Sequence, residues 1–457
     1  MREIASHVFR AYDIRGLVDV DFDEEWVYLL GRACGTLFRN EGKDTAVVGR
    51  DCRKSSPVYT EALIRGIMES GISVIDIGMV PTPIVYYAIK HYGTAAGVMV
   101  TASHNPSGYN GFKIWCGEST LHTEGIDALR RLMTSQDFTV GAGSVEKRDI
   151  FPVYCDDIVG RVTAKRRLKV VVDGGNGAGG EYCADILERL GADVIRLFCE
   201  PDGAFPNHHP DPVVEENMRQ LQEKVLAEKA DFGIGLDADG DRLGVVDEKG
   251  RLLFGDEVLA LFAREVLGRK KGSVVLGDVK CSHRLFRDIE EHGGRAVMTA
   301  TGHSFMKAKM RELSAELGGE MSGHIFFADR WYGFDDALYS ATRFLEIVSA
   351  NEEPLSGMLG WPESFVTPEL HRDCPDAAKK VVMDKALTYF RSRYDILDTD
   401  GVRLVFADGW GLVRASNTQP VLVLRFEAER AERLEEIRRI VEEPLGRWIS
   451  EAQEKAS

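Results

Sequence analysis

Three stretches of this chain repeat one order of events: a short apolar run, a turn, an amphipathic helix halted at glycine, and a second short apolar run. The first occupies 46–50, 58–70 and 72–77, with Gly71 as the stop. The second runs from 169–173 through a helix that stops at Gly191 to 192–198, and the third from 274–278 through 284–291 and Gly293-Gly294 to 295–298. Units of about thirty residues in which a helix joins two strands are βαβ crossovers. A crossover forces parallel pairing and a sheet covered by helices. The repetition therefore predicts three similar α/β domains, an internal triplication.

At 457 residues the chain is too long for one hydrophobic core, and three or so domains are expected. A net charge of −16 argues against a nucleic-acid partner, because phosphate backbones demand a basic surface. Any anionic ligand must then be held in a local cationic pocket of an acidic protein. The 8 cysteines show no CxxC pairing or regular spacing, which reads as reduced thiols in a cytoplasmic protein. Residues 1–16 lack an apolar leader core, and no apolar run approaches a membrane span, so no membrane association is expected.

Outside the repeats, Trp26, Leu29, Leu30, Ala33, Cys34, Leu37 and Phe38 share one helical face, with Asp21 or Asp23 as cap. A helix is expected over 337–348, followed by a linker around Trp361-Pro362. Strands at 402–406 and 421–426 with a charged helix at 431–440 read as an α+β domain unlike the other three.

Between these elements lie polar loops suited to chemistry. Residues 101–114 read TASHNPSGYNGFKI directly after the apolar run 95–100. Pro106 fixes φ, Gly108 and Gly111 permit positive φ, and Asn105 and Asn110 can bond their own backbone. Such a turn presents the Ser103 hydroxyl rigidly, with His104 and Lys113 as its proton handlers; the competing reading is an Asn/Gly/Pro surface loop. In DFGIGLDADGDRLGVVDE (231–248), Asp237, Asp239 and Asp241 alternate between two strand-like runs. Three carboxylates so close repel one another unless a cation intervenes, which points to an all-oxygen Mg²⁺ or Ca²⁺ site rather than an acidic hairpin. An EF-hand is excluded, because its sixth position would be Arg242 instead of glycine and strands replace its helices. Gly175-Asn-Gly177-Ala-Gly-Gly180 fits the dinucleotide fingerprint, but no acidic residue ends the following strand, so a tight turn approached by other backbone is expected. Glu320 and Ser322 in GEMSGH can bond adjacent sugar hydroxyls, with His324 as a proton carrier or merely a solvated loop histidine. Arg414, Ser416, Asn417 and Thr418 gather a guanidinium, two hydroxyls and an amide, suited to a phosphate or simply to capping a turn.

TASHNP followed by NGFK resembles the phosphoserine loop of the α-D-phosphohexomutase superfamily, bacterial phosphomannomutase/phosphoglucomutase type. DADGDR is similar to that family's Mg²⁺ loop, GEMSGH to its sugar-binding loop and RASNT to its phosphate-binding loop, in the family's order, so the likeness spans essentially the whole chain. The resemblance implies three α/β domains with helix-covered mixed sheets (1–148, 149–251 and 252–362) and a C-terminal α+β domain (363–457) around a central cleft. It also implies that phosphorylated Ser103 exchanges a phosphoryl group with hexose 1- and 6-phosphates through a hexose 1,6-bisphosphate, with Mg²⁺ on Asp237, Asp239, Asp241 and a Ser103 oxygen. Tyr12 and Arg15 would reach the reacting phosphate, Arg242 would face it beside the metal, and Lys280 and His303 would contact substrate. The general acid/base stays open among His324, Lys113 and His104. The expected partners are small sugar phosphates and the expected state a monomer, its cleft closing by a hinge near Trp361. Tyr109 and Met321 favour the mannose/glucose group over phosphoglucosamine mutase; a metal-dependent phosphatase and a non-catalytic sugar-phosphate binder are the remaining alternatives.

Overall fold

All three predicted crossovers form in the computed structural model, which describes residues 4–416 and 420–456. Strand Thr45–Arg50, helix Ser56–Glu69 and strand Ser73–Met79 make the first. Lys169–Asp173, Gly180–Arg189 and Asp193–Leu197 make the second, and Val274–Asp278, His283–Glu291 and Arg295–Thr299 the third. Each unit then continues in the same way. A third strand returns parallel to the first on its other side: Ala96–Val100, Phe232–Leu236 and Leu317–Gly319. A fourth folds back antiparallel against the third: Tyr109–Cys116, Leu243–Asp247 and Ile325–Phe327. Every unit thus has the spatial order fourth, third, first, second. The first sheet gains Ile14–Leu17 beside its fourth strand and Val145–Lys147 beside its second.

Packing follows the apolar pattern. The Glu24–Asn40 helix is capped by Asp23, whose Oδ1 accepts from the Trp26 amide at 2.9 Å, and Trp26, Leu30, Ala33, Cys34 and Phe38 are buried. They meet Leu63, Val98 and Phe112 in one core on that face of the first sheet. A second core is continuous across the first three units, joining Tyr86 and Ile89 to Tyr154, Phe232, Phe262 and Phe344. The units are therefore fused by apolar burial, which holds their loops in fixed relation.

The C-terminal part is an antiparallel sheet with helices Asp376–Arg391 and Ala431–Ala456 on it. Its last helix runs well beyond the predicted 431–440, through Pro444. An internal proline costs about 3 kcal/mol. The helix continues because Leu445 is buried on the core, with Trp448 and Ile449 packed beside it, each such side chain recovering about 1.5–3 kcal/mol when fully buried. This domain is fastened to the third unit by Arg403, whose guanidinium donates to the Val279 and Cys281 carbonyls at 2.6 and 2.8 Å and lies 3.8 Å from the Trp410 ring centroid. The linker tryptophan Trp361 donates to Asp288 at 3.0 Å and stacks under Arg284.

Candidate active site

The common order of the three sheets has a direct consequence for the polar loops. TASHNPSG, DADGDR and EMSGH all connect the third strand of a unit to its fourth. They emerge at the carboxyl end of a parallel strand, where ligands of such sheets usually bind. The three equivalent loops meet. The Ser103 hydroxyl donates to Asp237 Oδ2 at 2.8 Å, and the Leu243 amide donates to the Gly323 carbonyl at 3.0 Å. Thr82, at the start of a first-unit helix, seats on the acidic loop with its amide on the Asp239 carbonyl at 2.8 Å and its hydroxyl on Asp239 Oδ2 at 2.6 Å.

Ser103 is buried and sits in left-handed backbone at φ 49°, a conformation that costs a non-glycine residue about 1–3 kcal/mol. The strain falls on the serine itself, and Gly108 and Gly111 are not among the residues with positive φ. Gly111 is needed for closeness instead: a Cβ there would lie 2.3 Å from the Ile14 carbonyl oxygen. Asn110 does bond neighbouring backbone, accepting from the Gly111 amide at 2.8 Å, whereas the Asn105 side chain turns to accept from Arg15 at 2.9 Å. The serine amide donates to Thr101 Oγ1 at 2.9 Å, and His104 Nδ1 lies 3.2 Å from its Oγ. Burial, then Arg242 and Arg15, hold the His104 imidazole well below its usual pKa and so neutral.

The loop is gripped by a residue the motif reading passed over. Arg53, wholly buried, donates to the carbonyls of Ser103 and Asn105 at 2.6 Å each and of Pro106 and Tyr109 at 2.7 and 2.9 Å. Its Nε pairs with Asp51 at 3.0 Å, and Asp51 in turn accepts from Ser56 Oγ at 2.6 Å. Only a guanidinium offers five donors in one rigid plane. The signal was present in the sequence: Asp51-Cys-Arg53 follows directly on a buried strand, where charged residues are rarely accommodated without partners.

Asp237, Asp239 and Asp241 are all fully buried, with ligand atoms within 4.8 Å of one another. Lys113 Nζ donates to Asp239 Oδ2 at 2.7 Å and also to Asp241. Burial opposes its charge, yet the two carboxylates hold it well above the usual lysine range. Lys113 reaches Asp239 and Asp241 and leaves Asp237 without its contact. Burial, Asp239 and Asp241 push Asp237 well above the usual carboxylate range, and Asp239 Oδ1 is buried with no hydrogen-bond partner among the described residues. A dry all-oxygen cluster of three acids with an orphaned oxygen fits a hard divalent cation.

On the third loop, Glu320, Ser322 and His324 bond one another. His324 Nδ1 lies 2.8 Å from Glu320 and 3.1 Å from Ser322 Oγ, and its Nε2 lies 3.2 Å from Asp241. Burial would lower this imidazole, but Asp241 and Glu320 override it and push its pKa up to about 9. Arg242 Nε approaches the same ring at 3.4 Å, and Arg15 is paired with Asp13 at 2.7 Å. Tyr12 meets His303 edge-on at 4.9 Å between ring centroids. Lys280 pairs with Glu369 at 2.5 Å, within electrostatic reach of Glu320 and Arg414. Arg414, in the strand Gly409–Ala415, pairs with Asp400 at 2.9 Å, and Asp400 also accepts from the Thr301 amide of the third unit at 3.0 Å; Ser416 follows that strand, and Asn417 and Thr418 lie outside the described residues.

The glycine-rich turn after Asp173 is closed by backbone. The Ala178 amide donates to the Ala238 carbonyl at 2.8 Å, and a Cβ on Gly177 would lie 2.6 Å from that same oxygen. The turn is approached by the backbone of the acidic loop, as expected.

Family models described as phosphoglucomutase/phosphomannomutase alpha/beta/alpha domains I, II and III match residues 6–140, 152–250 and 254–364, and the model of that family's C-terminal domain matches 369–443. The phosphomannomutase/phosphoglucomutase of Pseudomonas putida is 47% identical over 453 residues, covering 98% of both chains. The phosphoglucomutase of Neisseria gonorrhoeae is 43% identical over 96% of both. A crystal structure of a phosphoglucomutase/phosphomannomutase family protein from Burkholderia thailandensis matches with a TM-score of 0.92 at 40% identity, over 99% of this chain and 98% of that one. With the four domain models matched in order and the likeness unbroken from end to end, the chain belongs to the phosphoglucomutase/phosphomannomutase family.

Proposed function

We propose that the protein interconverts hexose 1-phosphates and hexose 6-phosphates, of mannose, glucose or both, through a phosphoserine at Ser103 and a hexose 1,6-bisphosphate. The observation that carries this reading is the Ser103 hydroxyl, 2.8 Å from Asp237 in a buried group of three acids. The P–O bond to Ser103 Oγ breaks as one forms to O1 or O6 of the sugar, and the proton leaving the sugar hydroxyl balances the one gained by the serine. Reversal after the bisphosphate has turned around in the site returns its other phosphate to Ser103.

Phosphoryl transfer is in line, so the entering and departing oxygens lie on opposite sides of phosphorus. His104, neutral and 3.2 Å from Ser103 Oγ, suits the serine proton, and His324, held protonated between Glu320 and Asp241, suits giving a proton to the sugar oxygen when the sugar is the leaving group. Lys113, Arg15 and Arg242 supply fixed positive charge to the moving group, where most of the rate enhancement is expected. Asp237, Asp239 and Asp241 with a Ser103 oxygen would hold Mg²⁺, which when bound neutralises charge developing on the phosphoryl oxygens. Glu320 and Ser322 hold sugar hydroxyls present in both orientations. Arg414, Ser416, Asn417 and Thr418 hold the phosphate that is not reacting, and Tyr12, Lys280 and His303 complete the pocket. The 8 unpaired cysteines support a reducing compartment, the cytoplasm, and no helix among the described residues is long and apolar enough to cross a membrane. A monomer belongs to the same reading.

The decisive test is mass spectrometry of the purified protein for phosphate on Ser103, chased with glucose 1-phosphate; a label that stays on the serine overturns the reading. Comparing turnover of mannose 1-, glucose 1- and glucosamine 1-phosphate identifies the sugar, and release of inorganic phosphate without isomerisation would mark a phosphatase. Chelation of divalent cations is expected to lower turnover at least about 100-fold, with recovery on adding Mg²⁺. Asp237→Asn should reproduce the loss without recovery, and activity unchanged by chelation would refute the metal.

A further inference from the structure

His303 opens the helix His303–Leu313, and Lys307 stands one turn later on the same face; both are buried. The lysine Nζ lies 3.1 Å from His303 Nδ1 and donates to Asp335 Oδ1 at 2.8 Å, with the ring of Tyr86 4.5 Å from it. An ammonium group has donors only. Burial lowers the Lys307 pKa, but its ion pair with the buried Asp335 keeps it an ammonium, so Nδ1 accepts and the imidazole proton is carried on Nε2. That Nε2 is buried and has no hydrogen-bond partner among the described residues. A buried donor left unmet is destabilising, a cost removed when a ligand oxygen arrives. The edge of Tyr12 at 4.9 Å and the ring of His324 at 5.9 Å place His303 beside the sugar-phosphate pocket. The opposite tautomer has a ready partner: Asp335 Oδ2 is 3.7 Å from Nδ1 and is itself without a hydrogen-bond partner among the described residues. Lys307 therefore decides between two available arrangements, one presenting N–H to the ligand and one turning it away towards Asp335.

We propose that Lys307 is a positioning residue that fixes His303 as its Nε2–H tautomer, so that His303 donates a hydrogen bond to an oxygen of the bound sugar phosphate. The idea rests on the mutase reading for the identity of that ligand, but the tautomer does not depend on it. Long-range ¹H–¹⁵N NMR of histidine-labelled protein without substrate should show His303 protonated at Nε2 and bare at Nδ1. In Lys307→Met the pattern should reverse, and kcat/KM for glucose 1-phosphate should fall about ten-fold, as for loss of one hydrogen bond. His303→Phe should erase any further effect of Lys307→Met, because the lysine acts through the histidine. Nδ1–H in the unaltered protein, or an unchanged tautomer in Lys307→Met, overturns the proposal, and the first of these needs no variant to fold. Phosphate on Ser103 is read separately. Its absence would sink the mutase reading while leaving the tautomer assignment intact, and its presence with the wrong tautomer would do the opposite.

Discussion

Ser103→Ala is expected to lower interconversion of glucose 1- and 6-phosphate by about 10⁴-fold or more, as removal of a catalytic nucleophile generally does. The protein should lose all incorporation of phosphate from hexose 1,6-bisphosphate and still bind sugar phosphate. The reason is specific to the geometry: the Ser103 hydroxyl lies 2.8 Å from Asp237, and the neighbouring Asp239 and Asp241 are already engaged by Lys113. No other hydroxyl among those described for the three loops lies against the acids in this way; Ser322 is turned to Glu320 and His324. The measurement is steady-state turnover alongside phosphate occupancy by mass spectrometry. A variant that retains more than a few per cent of turnover would show that phosphate passes directly between sugars, or through another residue. A variant altered only in affinity would point to a binding protein.

The second large effect concerns stability. Arg53→Met should destabilise the fold by about 3–5 kcal/mol, the range found when one partner of a buried ion pair is removed. Four carbonyl groups of the loop and the Asp51 carboxylate would lose their donors together. Arg53→Lys should recover little, because one ammonium cannot meet donors' positions spread over a guanidinium plane. Urea unfolding of both variants measures the loss. Turnover of whatever folds should fall too, since nothing else among the described contacts pulls the Ser103 carbonyl into the left-handed turn. A loss below about 1 kcal/mol would mean that water replaces the guanidinium and that the loop holds its own shape.

Local reading found most of what is local. Periodicity located the crossovers because an apolar run of valines, as in Lys169–Asp173, and a helix halted at Gly191 are visible within a few residues. It missed Leu317–Gly319 and Ile325–Phe327, each only 3 residues long and the first ending in two glycines, too short to show a period. It stopped the last helix before Pro444, because the gain from packing Leu445 on a distant sheet has no trace in the neighbouring residues. Positive φ was expected at the glycines of the serine loop and was found at the serine, where Arg53, fifty residues away, makes it tolerable.

The candidate site divides along the same line. The residue types were legible in the sequence: a serine after a buried strand, three alternating aspartates, a Glu-x-Ser-x-His turn and an Arg-Ala-Ser-Asn-Thr clamp, each carrying its chemistry in a single short stretch. Their assembly was not. The three loops converge because three sheets share one strand order and a common apolar core fixes the units against each other, and both are contacts between residues far apart in the chain. Chain order alone determined which groups could react; sheet closure and interunit burial, which no local pattern records, decided that Ser103 would meet Asp237 and that His324 would meet Asp241.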